Sequence, residues 1–188
     1  MRFHPIETIQ TSRLVLRKVR SEDIQDYFDR LGSSEAVTRG MLWEPHTDLS
    51  QSVASVEKAL RRYEEGGCYR WAVALPEDDR IIGIVEMLRF DESDDSCSFA
   101  YMLGESWWGK GYGSEALRGA MDFVFSKMGV KVVRADHFTT NPASGGAMRK
   151  AGMTYVKTIP EQYEKHGVKL DADLYQITKE AFYKEEAC

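Results

Sequence analysis

The chain of 188 residues is 43% hydrophobic and 29% charged, an ordinary globular make-up that excludes fibrous and intrinsically disordered classes and suits one domain over 1–188. A net charge of −5 offers no basic footprint for nucleic acid. No apolar run approaches the ~20 residues of a membrane-spanning helix, and Met1 to Glu7 lack the apolar core of a secretion signal, so a cytoplasmic protein is expected. Cys68, Cys97 and Cys188 are an odd number without a close pair, which points to reduced thiols and to no metal site.

Leu14, Leu16 and Val19, interleaved with Arg13, Arg17 and Lys18, predict a first strand. Ser21-Glu22-Asp23 opens a helix to about Leu31, with Ser21 as N-cap and two acids in the first turn. Gly32 to His46 reads as irregular. A second helix runs from Asp48 or Ser50 to Glu65, with Val53, Val56, Leu60 and Tyr63 on one face and Gly66-Gly67 as its stop. The period then changes to that of strands: Tyr69–Leu75, Arg80–Phe90 and Ser96–Leu103, separated by short polar loops. A glycine-rich loop, Trp107 to Gly113, leads into a helix from Ser114 to about Met128. Strand Val132–Phe138, a short helix from Asn141 to Ala151, and β segments near Thr154–Pro160 and Lys169–Thr178 complete the chain. The order predicts a mixed α/β domain around a mostly antiparallel sheet.

Gly109, Gly111 and Gly113 fall within five residues between a strand and a helix. Such a turn exposes backbone N–H groups at the positive end of a helix dipole, a cradle for phosphate, with Ser114 placed to cap the helix. Gly104 to Lys110 matches the opening of a P-loop, but Gly111 stands where Ser or Thr would hold magnesium. A dinucleotide fingerprint fits Gly109 and Gly111, with Asp136 at the ribose position. It fails at Ser114 and in the absence of further βαβ units.

A larger stretch carries a resemblance. Phe99 to Leu117 resembles the acetyl-CoA motif of the GNAT acetyltransferase superfamily, whose pattern [Q/R]-x-x-G-x-[G/A] is matched from Trp108 to Gly113. Trp108 departs from its first position in the way of the ribosomal-protein N-acetyltransferase branch. About 28 residues on, Asn141-Pro142-Ala143-Ser144 through Lys150-Ala151-Gly152-Met153 resembles that branch's N-x-x-S-x5-K-x-G-[F/M]. Thr11 to Arg17 resembles its opening strand and Asp173 to Ile177 its closing one.

The resemblance implies a fold in which two strands splay apart and acetyl-CoA is the cosubstrate. The pyrophosphate would lie on Trp108, Gly109, Lys110, Gly111, Tyr112, Gly113 and Ser114, and pantetheine would pair along Met102 and Leu103. The implied reaction is direct attack of a primary amine on the thioester in a ternary complex, with backbone N–H near Leu103 polarising the carbonyl. Where many relatives place a Tyr acid this chain has Met148, which cannot donate. The branch offers Ser144, with Asn141, at the cofactor thiol; capping of the short helix is the rival role for both. Ser98 stands where a catalytic Glu is common. Glu86, read by alternation as sharing a face with Ile82 and Ile84, is the candidate base, with Tyr163, Glu161, Glu164 or ordered water as alternatives and a structural role as the rival.

Resemblance frames the acceptor site with Ser33–Asp48 and Glu161–Gly167. Glu35, Trp43, Glu44 and Asp48 suit an aromatic-walled acidic cleft; His46 reads as a surface residue and His137 as a candidate facing the site. The expected acceptor is a protein N-terminal α-amine, whose pKa near 8 eases deprotonation. Alternatives are a polyamine, amino acid or aminoglycoside, or an acyl-CoA-binding module without turnover. A monomer or homodimer is expected, without nucleic-acid or membrane partners.

Overall fold

The computed structural model describes residues 4–186, so Cys188 lies outside the described residues; Cys68 and Cys97 are buried free thiols. Eight strands form one sheet: β1 (Ile9–Gln10), β2 (Val15–Lys18), β3 (Tyr69–Ala74), β4 (Ile81–Asp91), β5 (Ser96–Leu103), β6 (Val132–Phe138), β7 (Thr154–Lys165) and β8 (Val168–Thr178). Their spatial order is β1-β2-β3-β4-β5-β6-β8-β7. Every neighbouring pair is antiparallel except β5 and β6, the mixed, mostly antiparallel sheet that the sequence predicts.

The parallel pair does not run its full length. β5 and β6 are in register only from Ser96↔Val132 to Phe99↔Ala135. Beyond that point β5 stays with β4 as far as Gly83↔Leu103, and β6 stays with β8 as far as Phe138↔Ala172. The two strands therefore part, leaving backbone groups along one edge of β5 without a strand partner. This splay positions everything that follows.

Each face of the sheet buries its own core. On one side α4 (Tyr112–Lys127) and α6 (Lys179–Glu186) pack on Leu16, Trp71, Val85 and Phe99 in a cluster completed by Met148 and Phe182. On the other, α1 (Ile24–Tyr27) and α3 (Leu49–Glu65) cover Ala72, Ala74, Ile81 and Ile84 with Tyr27, Leu31 and Val56. Each fully buried large side chain of this kind contributes about 1.5–3 kcal/mol. Between the sheet edge and these helices, Arg17 is buried despite its place among strand polar residues. Its Nη1 and Nη2 donate to the two oxygens of Asp23 at 2.8 Å each, and its Nε reaches Asp79 at 2.7 Å. A buried charge is tolerated when it is paired in this bidentate way.

Several boundaries differ from the sequence reading. Ser21 is not a cap: Arg20 occupies that position, Asp23 reaches back to its N–H, and the first helix is a composite of a 3-10 turn at Ser21–Asp23, α1 and a π turn at Phe28–Gly32. The segment read as irregular holds the short helix α2 (Glu35–Thr38), capped by Ser34. Helix α4 starts two residues early, with Gly111 at its N-cap position, so Ser114 lies inside the first turn and does not cap it. The last hairpin is longer than predicted. β7 continues to Lys165 through a bulge between Ile159 and Tyr163, and His166-Gly167 (φ 54° and 72°) form its two-residue turn. Both positive values suit a primed hairpin turn. Strand β4 also carries bulges. The partner of Val73 is Gly83 and that of Ala74 is Ile81, which throws Ile82 onto the face of Val85 and Met87. Glu86 thus shares its face with Ile84 but not with Ile82, correcting the simple alternation.

Candidate active site

A cleft of about 1240 Å³ runs through the splay from the glycine loop to α3. At one end lies the loop. Gly109 (φ 73°) and Gly111 (φ 83°) both take the left-handed conformation, which costs other residues roughly 1–2 kcal/mol. The first N–H with an acceptor inside α4 is that of Glu115, bonded to Gly111 O at 3.1 Å. The N–H groups of Tyr112, Gly113 and Ser114 are therefore left at the positive end of the dipole. Trp108, whose indole is half-exposed, donates Nε1–H to Leu103 O at 2.7 Å and ties the loop to β5. Lys110 is exposed, and its carbonyl accepts from Arg13 Nη1 at 2.9 Å.

A contact that the sequence reading missed fixes this loop from outside. Glu115 accepts hydrogen bonds from Thr11 Oγ1 (2.6 Å), Ser12 Oγ (2.9 Å), Arg13 N (2.8 Å) and Arg13 Nε (2.7 Å). Burial raises the Glu115 carboxyl, but these bonds outweigh it and hold the pKa below the ordinary value. Arg13 also stacks on Tyr112, 4.6 Å from the ring centroid. The polar residues of the Thr11–Arg17 motif are thus explained by an acid in the first turn of α4. An acid at a helix start was the available signal, though nothing in its neighbourhood named its partners.

Along β5, Met102 turns its carbonyl toward Gly83, where a Cβ could not fit. Leu103 O faces Trp108 instead, so by alternation Tyr101 and Leu103 direct their N–H groups across the splay. Within the expected pairing edge around Met102 and Leu103, Leu103 thus faces the splay while the Met102 carbonyl is turned to β4. Across the splay, α5 (Pro142–Lys150) begins at Asn141. Neither Asn141 nor Ser144 caps this helix. The Asn141 side chain makes no capping bond and lies against Gly40. Ser144 Oγ lies 2.8 Å from Tyr101 Oη, which also donates to Ser144 O at 2.7 Å. Burial pushes the Tyr101 hydroxyl up to about 12, so it stays protonated at neutral pH. Met148 is core. The hydroxyl missing from Met148 is thus supplied near Ser144 by a strand residue, with no motif to announce it.

The other end of the cleft belongs to the face of α3. Glu86 accepts from Arg62 Nη1 at 2.9 Å, with Arg70 Nε at 3.8 Å. Two guanidinium groups thus meet its two oxygens, Arg62 at Oε1 and Arg70 at Oε2, so the candidate base of the sequence analysis is a paired carboxylate. Arg70 Nη2 donates to Tyr27 Oη at 3.2 Å. The acids expected to line the acceptor cleft are engaged elsewhere: Asp48 accepts from Ser50 N at 2.8 Å as the cap of α3, and Glu44 meets His166 Nε2 at 2.8 Å. Glu35, Glu44 and Asp48 do not line the cleft, whereas Trp43 and His46 do. His46 packs 5.1 Å from Trp43 and bonds Ser52 at 2.8 Å; burial lowers its pKa. His137 is buried on the α5 side, its Nδ1 on Phe138 O at 2.8 Å and its Nε2 without a partner. Lys165 Nζ donates to Thr38 O and Met41 O at 2.9 Å each. That brings the two predicted framing segments together over the cleft. Glu161 is exposed, bonded to Lys169, and Glu164 is exposed as well; Tyr163 lines the cleft.

An anion cradle at a helix start, beside an unpaired strand edge in a splay, is the geometry implied by the resemblance. Residues 13–154 match the family model described as an acetyltransferase (GNAT) domain. The chain belongs to the GNAT acetyltransferase family. The uncharacterised N-acetyltransferase p20 of Bacillus licheniformis is 26% identical over 94% of this chain and 99% of its own. The ribosomal protein uS5 alanine N-acetyltransferase of Escherichia coli (strain K12) is 27% identical over 79% of this chain and 78% of its own. In fold the chain is similar to a spermidine N-acetyltransferase from Vibrio cholerae, solved with CoA and spermine. The TM-score is 0.77 and the identity 17%, over 92% of this chain and 99% of that one. The protein is an acetyl-CoA-dependent acetyltransferase, and the residues of the cradle fit that cosubstrate.

Proposed function

We propose that this acetyltransferase works in the cytoplasm on the α-amino group of a protein N-terminus, by direct attack on acetyl-CoA bound in the same cleft. The observation that carries this reading is the charge of the acceptor end. Arg39, Lys58, Arg62 and Arg70 line it against the two acids Glu86 and Asp136, and Glu44 and Asp48 of the framing segment are used in structural contacts. A polyamine would bring several ammonium groups against these cations, a like-charge arrangement that costs affinity. An N-terminal amine brings one charge and sheds it near pH 8. The relative that acts on ribosomal protein uS5 supports the same class.

In this reading the N–H groups of Gly109 to Ser114 hold the pyrophosphate and the N–H of Leu103 polarises the thioester carbonyl. Ser144, backed by Tyr101 and Asn141, serves the thiol. Glu86 acts through Arg62 and Arg70 in orienting the acceptor. An acceptor screen with detection of free CoA thiol tests the substrate class. Peptides beginning with Ala or Ser should release thiol at neutral pH well above spermidine at equal concentration. Turnover of spermidine with none of the peptides overturns the proposal.

A further inference from the structure

One row of residues crosses the acceptor face of the sheet. Arg70 is opposite Glu86, and Glu86 is opposite Ala100. The β5–β6 ladder ends at Phe99↔Ala135, so Asp136 is the residue that would face Ala100 had the strands stayed together. Two carboxylates therefore flank Ala100 where the cleft opens, and the methyl group between them leaves the floor clear. All three residues line the cleft.

The two acids differ in their company. Glu86 is held by Arg62 and Arg70. Asp136 meets no guanidinium among the described residues; it receives the hydroxyl of Tyr163 on β7, with Oη 2.9 Å from both Oδ1 and Oδ2. One hydroxyl proton serves one oxygen at a time, so an acceptor remains open toward the cleft. Tyr163 is itself steadied by Phe138, edge-on at 5.6 Å.

We propose that Asp136, oriented by Tyr163, is the group that takes the proton from the acceptor amine. The ammonium gives a proton to the Asp136 carboxylate, which later passes it to solvent. The neutral nitrogen attacks the thioester carbon, the C–S bond breaks with its electron pair on sulfur, and the second nitrogen proton ends on the CoA thiol. Acetyl-CoA and R–NH3⁺ become R–NH–acetyl, CoA–SH and H⁺. Any primary amine seated over Ala100 meets the same oxygen, whichever acceptor is the natural one.

The surroundings favour a carboxylate tuned to accept. Burial raises the Asp136 carboxyl above its ordinary value, against the lowering pull of Tyr163 and His137. The Tyr163 hydroxyl is pushed up to about 12, by burial first and then by Asp136, so it remains a donor. On the same strand and face, Arg134 is taken by Asp94 at 2.6 Å and by Ser96. His137 turns to the opposite face. β8 presents Leu174 opposite Asp136, Lys165 of β7 is bound to Thr38 and Met41, and β4 presents Glu86 beyond Ala100. A base of raised pKa at the reacting nitrogen suits catalysis near neutral pH.

The test is the pH dependence of kcat/KM for acetyl transfer to an Ala-initiated peptide and to a second primary amine of different pKa, such as glycinamide. An acid limb shared by both acceptors is expected in the wild type, lost in Asp136→Asn with a fall of about 10²-fold or more, and partly restored in Asp136→Glu. Tyr163→Phe removes a bond to the charged form, so the limb should move to higher pH; a merely structural Asp136 would not move it. Retention of the limb in Asp136→Asn, or its loss in Glu86→Gln with Asp136 intact, overturns the assignment. NMR titration of the Asp136 carboxyl carbon in the full chain gives a readout free of any acceptor. The midpoint should lie above that of ordinary aspartates and rise further in Tyr163→Phe; an ordinary midpoint that ignores Tyr163 overturns it.

Discussion

The two ends of the cleft are made from different materials. The end proposed for the cofactor is backbone: N–H groups of the loop and of the first turn of α4, and the unpaired edge of β5, with glycines supplying the conformations. The acceptor end is side chain: Glu86 from β4, Arg62 from α3, Arg70 from β3, Asp136 from β6 and Tyr163 from β7, each held by partners far away in sequence. On the proposed reading, backbone would recognise what every acetyl-CoA has in common, a pyrophosphate and an extended amide-bearing arm. Side chains set charge and proton affinity, which must change with the acceptor. The glycine loop can thus stay fixed while the opposite wall is rebuilt for another amine.

The sharpest way to break that comparison is at Gly111. Its φ of 83° is one that L side chains avoid, and a Cβ there would sit 3.3 Å from Arg13 Nη2. Gly111→Val should cost roughly 1–2 kcal/mol in backbone strain and swing the loop N–H groups off the phosphate. CoA binding by calorimetry should fall below detection while circular dichroism stays native. Gly113→Ala is the matched control. Its Cβ would meet Leu103 Cδ1 at an ordinary 3.4 Å and its φ is not positive, so affinity should drop only a few-fold. If both variants bind CoA like the wild type, the cradle is not where the pyrophosphate lies.

A smaller effect is expected at the junction of the two ends. Ser144→Ala should lower kcat by about 10²-fold, the low end for a lost proton transfer, with CoA affinity nearly unchanged. An interaction made only in the transition state shows itself in that split. Tyr101 has one proton for two oxygens, Ser144 O and Ser144 Oγ. When it bonds the carbonyl, the serine hydroxyl turns toward it, and when it bonds Oγ, the serine proton is free to face the cleft. Tyr101→Phe removes that choice but leaves Ser144 in place, so kcat should fall less than in Ser144→Ala. Equal turnover in wild type and Ser144→Ala, measured by thiol release, would leave the serine as packing.

The same division explains what could be read from the sequence. The cradle was legible because glycine spacing, a helix start and the preceding strand are contiguous. The two long helices and the central strands were legible by period and stop signals, and the N-x-x-S motif located α5. The composite first helix was not, because its turns change type without changing residue chemistry. Glu86 was placed on the right face for an incorrect reason: the bulge at Ile82 shifts the alternation. Its partners Arg62 and Arg70 lie 24 and 16 positions away by residue number, and no local pattern joins them. Asp136 appeared only as a failed ribose ligand, and Tyr163 only as one of several residues near the last hairpin. Their meeting depends on the β7 bulge between Ile159 and Tyr163, which period-two reasoning cannot supply. Glu44 and Asp48 misled for the converse reason. Composition makes them look available, and only three-dimensional pairing shows that they are used.

Glu115 tests whether the cofactor end is as local as it looks. Its carboxylate gathers Thr11, Ser12 and Arg13 from more than a hundred positions away, so the backbone cradle is held by side chains after all. The folded pKa lies below the ordinary value, and the sign follows from that. The stabilisation is fully present above the unfolded value of about 4.3 and is lost as pH falls from there through the folded pKa. Glu115→Gln keeps the shape but not the charge, so it should lower stability at pH 7 by about 1.5–3 kcal/mol, the range for hydrogen bonds to a charged group. It should also flatten the loss of stability as pH falls below the unfolded value of about 4.3, as read by urea unfolding at each pH. Because Arg13 then loses its ion pair while keeping its bond to Lys110 O, CoA affinity should fall only modestly, far less than in Gly111→Val. A variant whose acid unfolding matches the wild type would mean that the cradle stands on its glycines alone.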